Sequence, residues 1–125
     1  MAWKFSGELS VSRQIADRLR SDILNGKYPP GGQFPTVRSL ALEASVNPNT
    51  MQKAMALLEE EGLVCSHSTT GRFVTEDLAL LEEQRRALQE LFLKGALKEA
   101  KALGITGEQM KNFIDQHYKE QEEET

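Results

Sequence analysis

Gln33-Phe34-Pro35-Thr36-Val37-Arg38-Ser39-Leu40-Ala41, followed after a short gap by Val46-Asn47-Pro48-Asn49-Thr50-Met51, is the stretch that decides the fold. Thr36 is a good N-cap for a helix through about Ala44, with Val37, Leu40 and Ala41 as its apolar stripe at i, i+3 and i+4. Asn47 followed by Pro48 is a second start signal, a capping amide and then a proline at the first helical position, where no backbone donor is needed. The second helix is expected to run to Glu61, with Met51, Ala54, Met55 and Leu58 on its buried face. Asn49, Thr50, Gln52, Lys53 and Ala56 then turn toward solvent or a partner. Two short helices with polar N-termini and a three-residue turn between them have the spacing of a helix-turn-helix DNA reader.

Upstream, Ile15, Ala16, Leu19, Ile23 and Leu24 recur at helical spacing between Ser12 and Asn25, and Gly26 ends that helix. Lys27 to Gln33 holds two prolines and two glycines and reads as a short connector. Downstream, Gly62 stops the second helix of the pair. Leu63-Val64-Cys65-Ser66 and Arg72-Phe73-Val74-Thr75 then read as strands around a polar tip from His67 to Gly71, a β-hairpin wing. Beyond Asp77 the pattern is helical to about Leu103, Gly104 breaks it, and Thr106 or Gly107 begins a last helix. Residues 120–125 read as a frayed, solvated end. The expected fold is mainly α with a small β-hairpin: a winged helix-turn-helix domain over residues 1–76, then a C-terminal two-helix dimerisation region over 77–125.

A chain of 125 residues has room for one modest core, which disfavours an enzyme with a deep substrate cavity. Cys65 is the only cysteine, so no intramolecular disulfide is possible, and with His67 and His117 it gives no metal-ligand spacing. The N-terminus lacks the apolar core of a signal peptide and nowhere do eighteen apolar residues run together, so a cytoplasmic location without membrane insertion is expected. The net charge of -4 hides an asymmetry: residues 1–76 carry eight Lys/Arg and eight Asp/Glu, whereas residues 77–125 carry seven and eleven. A neutral N-terminal half still binds phosphates if its basic groups share one face, because local potential guides the encounter.

The candidate contacts follow from what the N-terminal turns of a recognition helix must supply. Asparagine pairs bidentately with adenine, threonine bonds a phosphate or touches a thymine methyl, and lysine reaches guanine or phosphate; Asn47, Asn49, Thr50 and Lys53 are of these types, with Gln52 in reserve. Thr36, Asn47 and Thr50 have a second reading as helix caps. Arg38, with Ser39 beside it, sits where the first helix of the pair would cross the DNA backbone, placed to fork onto guanine or clamp a phosphate. At the wing, His67, Thr70, Gly71 and Arg72 are candidates for minor-groove phosphates, against the alternative of an ordinary hairpin turn.

Glu59-Glu60-Glu61 reads as a solvated face. There is no Gly-rich phosphate loop, no plausible Ser/His/Asp constellation and no metal cluster, so no enzymatic activity, cofactor or metal is expected. In the tail, Leu81, Leu88, Leu91, Phe92, Leu97, Met110, Phe113 and Ile114 form a stripe expected to pair with a second subunit, which would set two reading heads on one double-stranded operator. Packing of that stripe on the chain's own N-terminal domain is the alternative. A protein-interaction module with an acidic recruiting tail, and a small-ligand sensor with a pocket between tail and winged domain, are the rival functions; no effector is legible.

The ordered series Arg13-Gln14-Ile15, Ile23 to Gly31, Phe34 to Ala41, Val46 to Ala54, Leu58 to Val64 and Gly71-Arg72-Phe73-Val74 resembles the GntR family of transcriptional regulators. Leu81 to Arg86 and Ala96 to Ile105 are similar to the two-helix tail of its short YtrA-like branch. That resemblance implies a homodimer formed through the tails and a repressor of its own operon, often one encoding an ABC transporter. The chain departs from some relatives at Pro48 and Gln52, where they carry arginines, and at His67-Ser68-Thr69, where Arg-Arg-Gly is common. Base preferences known from those relatives therefore do not transfer.

Overall fold

The computed structural model describes residues 2–124 and contains, in order, α1 (Val11–Leu24), α2 (Val37–Ala44), α3 (Pro48–Glu60), β1 (Val64–His67), β2 (Gly71–Val74), α4 (Leu78–Ala102) and α5 (Gly107–Glu124). The chain divides into two compact units, Met1–Arg85 and Arg86–Thr125.

The first unit is built on α1, α2 and α3. Each start is set by a polar cap: the Ser10 hydroxyl accepts from the Arg13 amide, Thr36 from Ser39, and Asn47 from Asn49. Ile15, Ala16, Leu19, Ile23 and Leu24 of α1, Leu40, Ala41 and Ala44 of α2, and Met51, Ala54, Met55 and Leu58 of α3 are buried in one core with Phe34, Leu63, Val64 and Val74. Burying each of the larger side chains contributes about 1.5–3 kcal/mol, so the amphipathic stripes rather than helix propensity hold the three helices together. The three-residue turn between α2 and α3 closes because Ser45 takes a left-handed conformation (φ +58°), while the Val46 amide donates to Ala41 O at 3.0 Å.

The wing is an antiparallel hairpin in which Val64 pairs with Val74, Cys65 with Phe73, Ser66 with Arg72 and His67 with Gly71. The expected strands are thus shifted by one residue, and His67 and Gly71 belong to the ladder rather than to the turn. The connector supplies a partial third strand, with Gln33 bridged to Phe73, Phe34 N donating to Arg72 O at 2.8 Å and Val74 N to Gly32 O at 2.9 Å. The N-terminal segment also joins this unit. Trp3 and Phe5 pack on the core, the Arg18 guanidinium lies 3.9 Å over the Trp3 ring, and the Gln14 amide is bonded to Ser6 and Leu9.

The first unit continues through the opening turns of α4, past Glu76. Asp77 caps that helix, Leu80 packs on the core, and Arg85 Nε donates to Leu24 O at 2.8 Å. Leu81, expected on the dimerisation stripe, is instead 3% exposed within the core of the first unit. Leu81 lies one turn past the Asp77 cap, on the part of α4 that Arg85 ties to Leu24 of α1, and so joins the core of the first unit.

In the second unit the remainder of α4 meets α5 through a turn closed by Gly104 (φ +76°) and the Ile105 amide on Ala100 O. Thr106 and Gln109 form a reciprocal capping box, each side chain accepting from the other residue's amide. Helix α5 continues through residue 124 rather than fraying from 120, and Thr125 lies outside the described residues. Ala100 is buried here, whereas Leu88, Leu91, Phe92, Leu97, Phe113 and Ile114 are exposed and Met110 is half-buried. No helix among the described residues is long and apolar enough to cross a membrane.

Candidate nucleic-acid interface

Helix α3 presents Asn49, Gln52 and Lys53 to solvent, with Thr50 half-buried and Asn47 exposed at the cap. Their common face follows from the opposite one: Met51, Ala54, Met55 and Leu58 are fully buried, so the residues between them must point outward. Pro48 occupies the first helical turn without sacrificing a backbone bond. Asn47 Oδ1 accepts from Asn49 N at 2.7 Å, which leaves the Asn47 amide nitrogen as an unused donor at the mouth of the helix.

Arg38 and Ser39 are exposed in the first turn of α2. The Ser39 hydroxyl is turned back, donating to Thr36 O at 3.1 Å, and the Thr36 hydroxyl accepts from Ser39 N at 3.0 Å. These two therefore serve the helix start, while Arg38 extends beyond it.

The cations of the first unit divide into paired and unpaired ones. Arg20 forks onto Glu61 and also reaches Asp17, Lys27 pairs with Asp22, Arg72 with Glu59, and Arg85 with Glu82. Arg18 is stacked on Trp3. Among the described residues, Lys4, Arg13, Arg38 and Lys53 have no acidic partner; Lys4 and Arg13 belong to the N-terminal segment and the first turn of α1, whereas Arg38 and Lys53 flank the N-terminal turns of α3. Two uncompensated charges beside the positive end of a helix dipole form an anion-attracting surface of the kind a phosphate backbone occupies.

The wing candidates are distributed differently. His67 rests edge-on against Phe73 at 5.0 Å, Thr70 O accepts from Gln33 Nε2 at 3.1 Å, and Gly71 holds φ +102°. Arg72 Nε lies 2.5 Å from Glu59 Oε1, and the Ser66 hydroxyl donates to that oxygen at 2.6 Å. Hydrogen bonds from Ser66 first and Arg72 second hold the Glu59 carboxyl below its ordinary pKa.

The acidic triplet is therefore not a uniform solvated face. Glu59 serves the wing, Glu61 serves α1 through Arg20, and Glu60 alone is exposed. The hydrogen bond to Glu61 is the main reason the Arg20 guanidinium is raised above its ordinary pKa. The signal was present in the spacing, since residues two apart on a helix face nearly opposite sides, but which neighbours waited there was not. Among the described residues no group of three or more His, Cys, Asp or Glu side chains is arranged to hold a metal ion, and Cys65 is a free, exposed thiol.

Residues 11–74 match the family model described as "Bacterial regulatory proteins, gntR family". The chain is 30% identical to the HTH-type transcriptional repressor YtrA of Bacillus subtilis over 83% of its own length and 81% of that protein. Its fold is similar to a GntR family transcriptional regulator from Listeria monocytogenes (TM-score 0.80, 28% identity), covering 90% of this chain and 98% of that one. The DNA-binding domain of AraR in complex with operator ORX1 is similar over 58% of this chain and 93% of that one (TM-score 0.52, 31% identity).

Proposed function

The chain belongs to the GntR family of bacterial regulatory proteins and is a DNA-binding transcriptional regulator, not an enzyme, and from that premise we propose that it represses its own operon by binding a palindromic operator as a homodimer. The observation that carries the DNA-facing assignment is the pair of uncompensated cations, Arg38 and Lys53, flanking the polar N-terminal turns of α3. In this reading α3 enters the major groove, Asn47, Asn49 and Gln52 reach base edges, Thr50 and Lys53 meet phosphate, and Arg38 forks onto guanine or a phosphate from α2. Thr36 and Ser39 set the start of α2, and the wing lies toward the adjoining minor groove with His67, Thr70 and Gly71 at its edge.

The homodimer is supported by the second unit, whose Leu88, Leu91, Phe92, Leu97, Phe113 and Ile114 are exposed with Met110 beside them. An apolar stripe of this extent favours a two-fold partner carrying the same stripe. Repression follows from occupancy: a bound dimer excludes polymerase until the affinity falls. The similarity to YtrA, itself described as a repressor, supports that sign of regulation. Selection of the full chain on random duplex DNA tests the reading. A dyad-symmetric consensus is expected; an asymmetric single site removes the two-headed arrangement, and absence of any enriched sequence removes specific recognition.

A further inference from the structure

Helix α3 has two ends with different tasks. Its N-terminal turns carry the DNA-facing residues, while Glu59, two turns further on than Gln52, points at the wing. One carboxylate oxygen of Glu59 receives both the Ser66 hydroxyl of β1, at 2.6 Å, and the Arg72 guanidinium of β2, at 2.5 Å. Ser66 and Arg72 are directly paired across the hairpin, so a single acceptor on the recognition helix ties both strands at one rung. The opposite edge of β2 is held by the connector through backbone bonds at Phe34 and Val74. The side chains of Arg72 and Glu59 are only 23% and 32% exposed, in contrast to the outward Arg38 and Lys53.

We infer that Glu59 is the positioning residue of the wing, fixing the hairpin against the recognition helix and keeping the Arg72 charge compensated so that it does not neutralise a DNA phosphate. A guanidinium already paired with a carboxylate brings no net charge to the backbone. It releases no counterion, whereas each cation newly placed on a phosphate steepens the salt dependence by about 0.9 in log K against log salt. Arg72 thus counts in the fold but not in the phosphate tally, and Glu59 decides which.

The inference rests on DNA contact through the α3 face and is tested with a mixed-sequence duplex of about 30 base pairs, titrated between about 50 and 200 mM salt. The full-length chain, Arg72→Met, Glu59→Gln and the double variant are compared, with Lys53→Met as a separate control on the α3 face. Expected are an unchanged slope for Arg72→Met, a slope steeper by about one for Glu59→Gln, and a return to the starting slope in the double variant. A shallower slope for Arg72→Met alone overturns the inference, because Arg72 would then already be on a phosphate. An unchanged slope for Glu59→Gln overturns it too. An effect missing at Lys53→Met strikes the assignment of the α3 face instead, so the two failures are told apart.

Discussion

Arg38 illustrates how much one side chain's surroundings decide. By sequence it is one of eight basic residues in a half of zero net charge, and it differs from the half-buried Arg20, Arg72 and Arg85 in being exposed and in having no acidic partner among the described residues. Arg38→Ala is therefore expected to weaken binding to the selected operator by about 1–3 kcal/mol and to leave the thermal unfolding midpoint essentially unchanged. Unaltered affinity in a salt-matched titration would take Arg38 out of the site. Glu59 is the converse case, a residue whose charge is used internally. Its pKa is depressed in the fold from the ordinary 4.5. The stability it contributes is thus present above that value and lost as pH falls through the lower, folded one. Glu59→Gln should melt below the parent chain near about pH 7, and the gap should narrow as pH falls below the ordinary carboxylate range; a gap independent of pH would show that the carboxylate charge is not what holds the wing.

At the scale of elements, the helix starts were legible because caps are local: Thr36 and Asn47 do in the structure what their positions announced. The ambiguity between cap and contact at Asn47 is separable by substitution. Asn47→Ala should cost about 1 kcal/mol of stability along with operator affinity. Asn47→Ser should keep the cap, because serine serves equally well there, and lose only the affinity carried by the free amide. Denaturant unfolding and operator titration of the two variants give the answer, and operator affinity unchanged in Asn47→Ser would reduce Asn47 to a cap. The hairpin was legible in existence but not in register. The far edge of β2 is held by Gly32, Gln33 and Phe34 from a connecting segment that carries no strand pattern of its own.

Across the whole molecule the two units answer to different partners. The first buries a core of its own, down to Leu81, although Leu42 and Leu78 stay 76% and 67% exposed; in the second the exposed apolar side chains, Leu91 and Phe92 at 70% and 72% among them, recur along α4 and α5. If the proposed dimer forms through that stripe, Leu91→Glu with Phe92→Glu should halve the solution mass measured by light scattering. Cooperative binding to a two-half-site operator should go with it, and the first unit's unfolding should remain unchanged. A mass that stays dimeric would move the interface elsewhere.

The helix-turn-helix pair, its caps and the apolar face of α3 were determined by the sequence itself, since they depend on spacings of three and four residues and on capping groups within one turn. Only the tertiary structure decided that Leu81 belongs to the core, that Glu59 and Glu61 part company, and that Arg38 and Lys53 are left uncompensated where Arg20 and Arg72 are not. Those outcomes turn on pairs such as Arg20 with Glu61, 41 residues apart. Such a partner is fixed by the packing of whole elements, which no local spacing encodes.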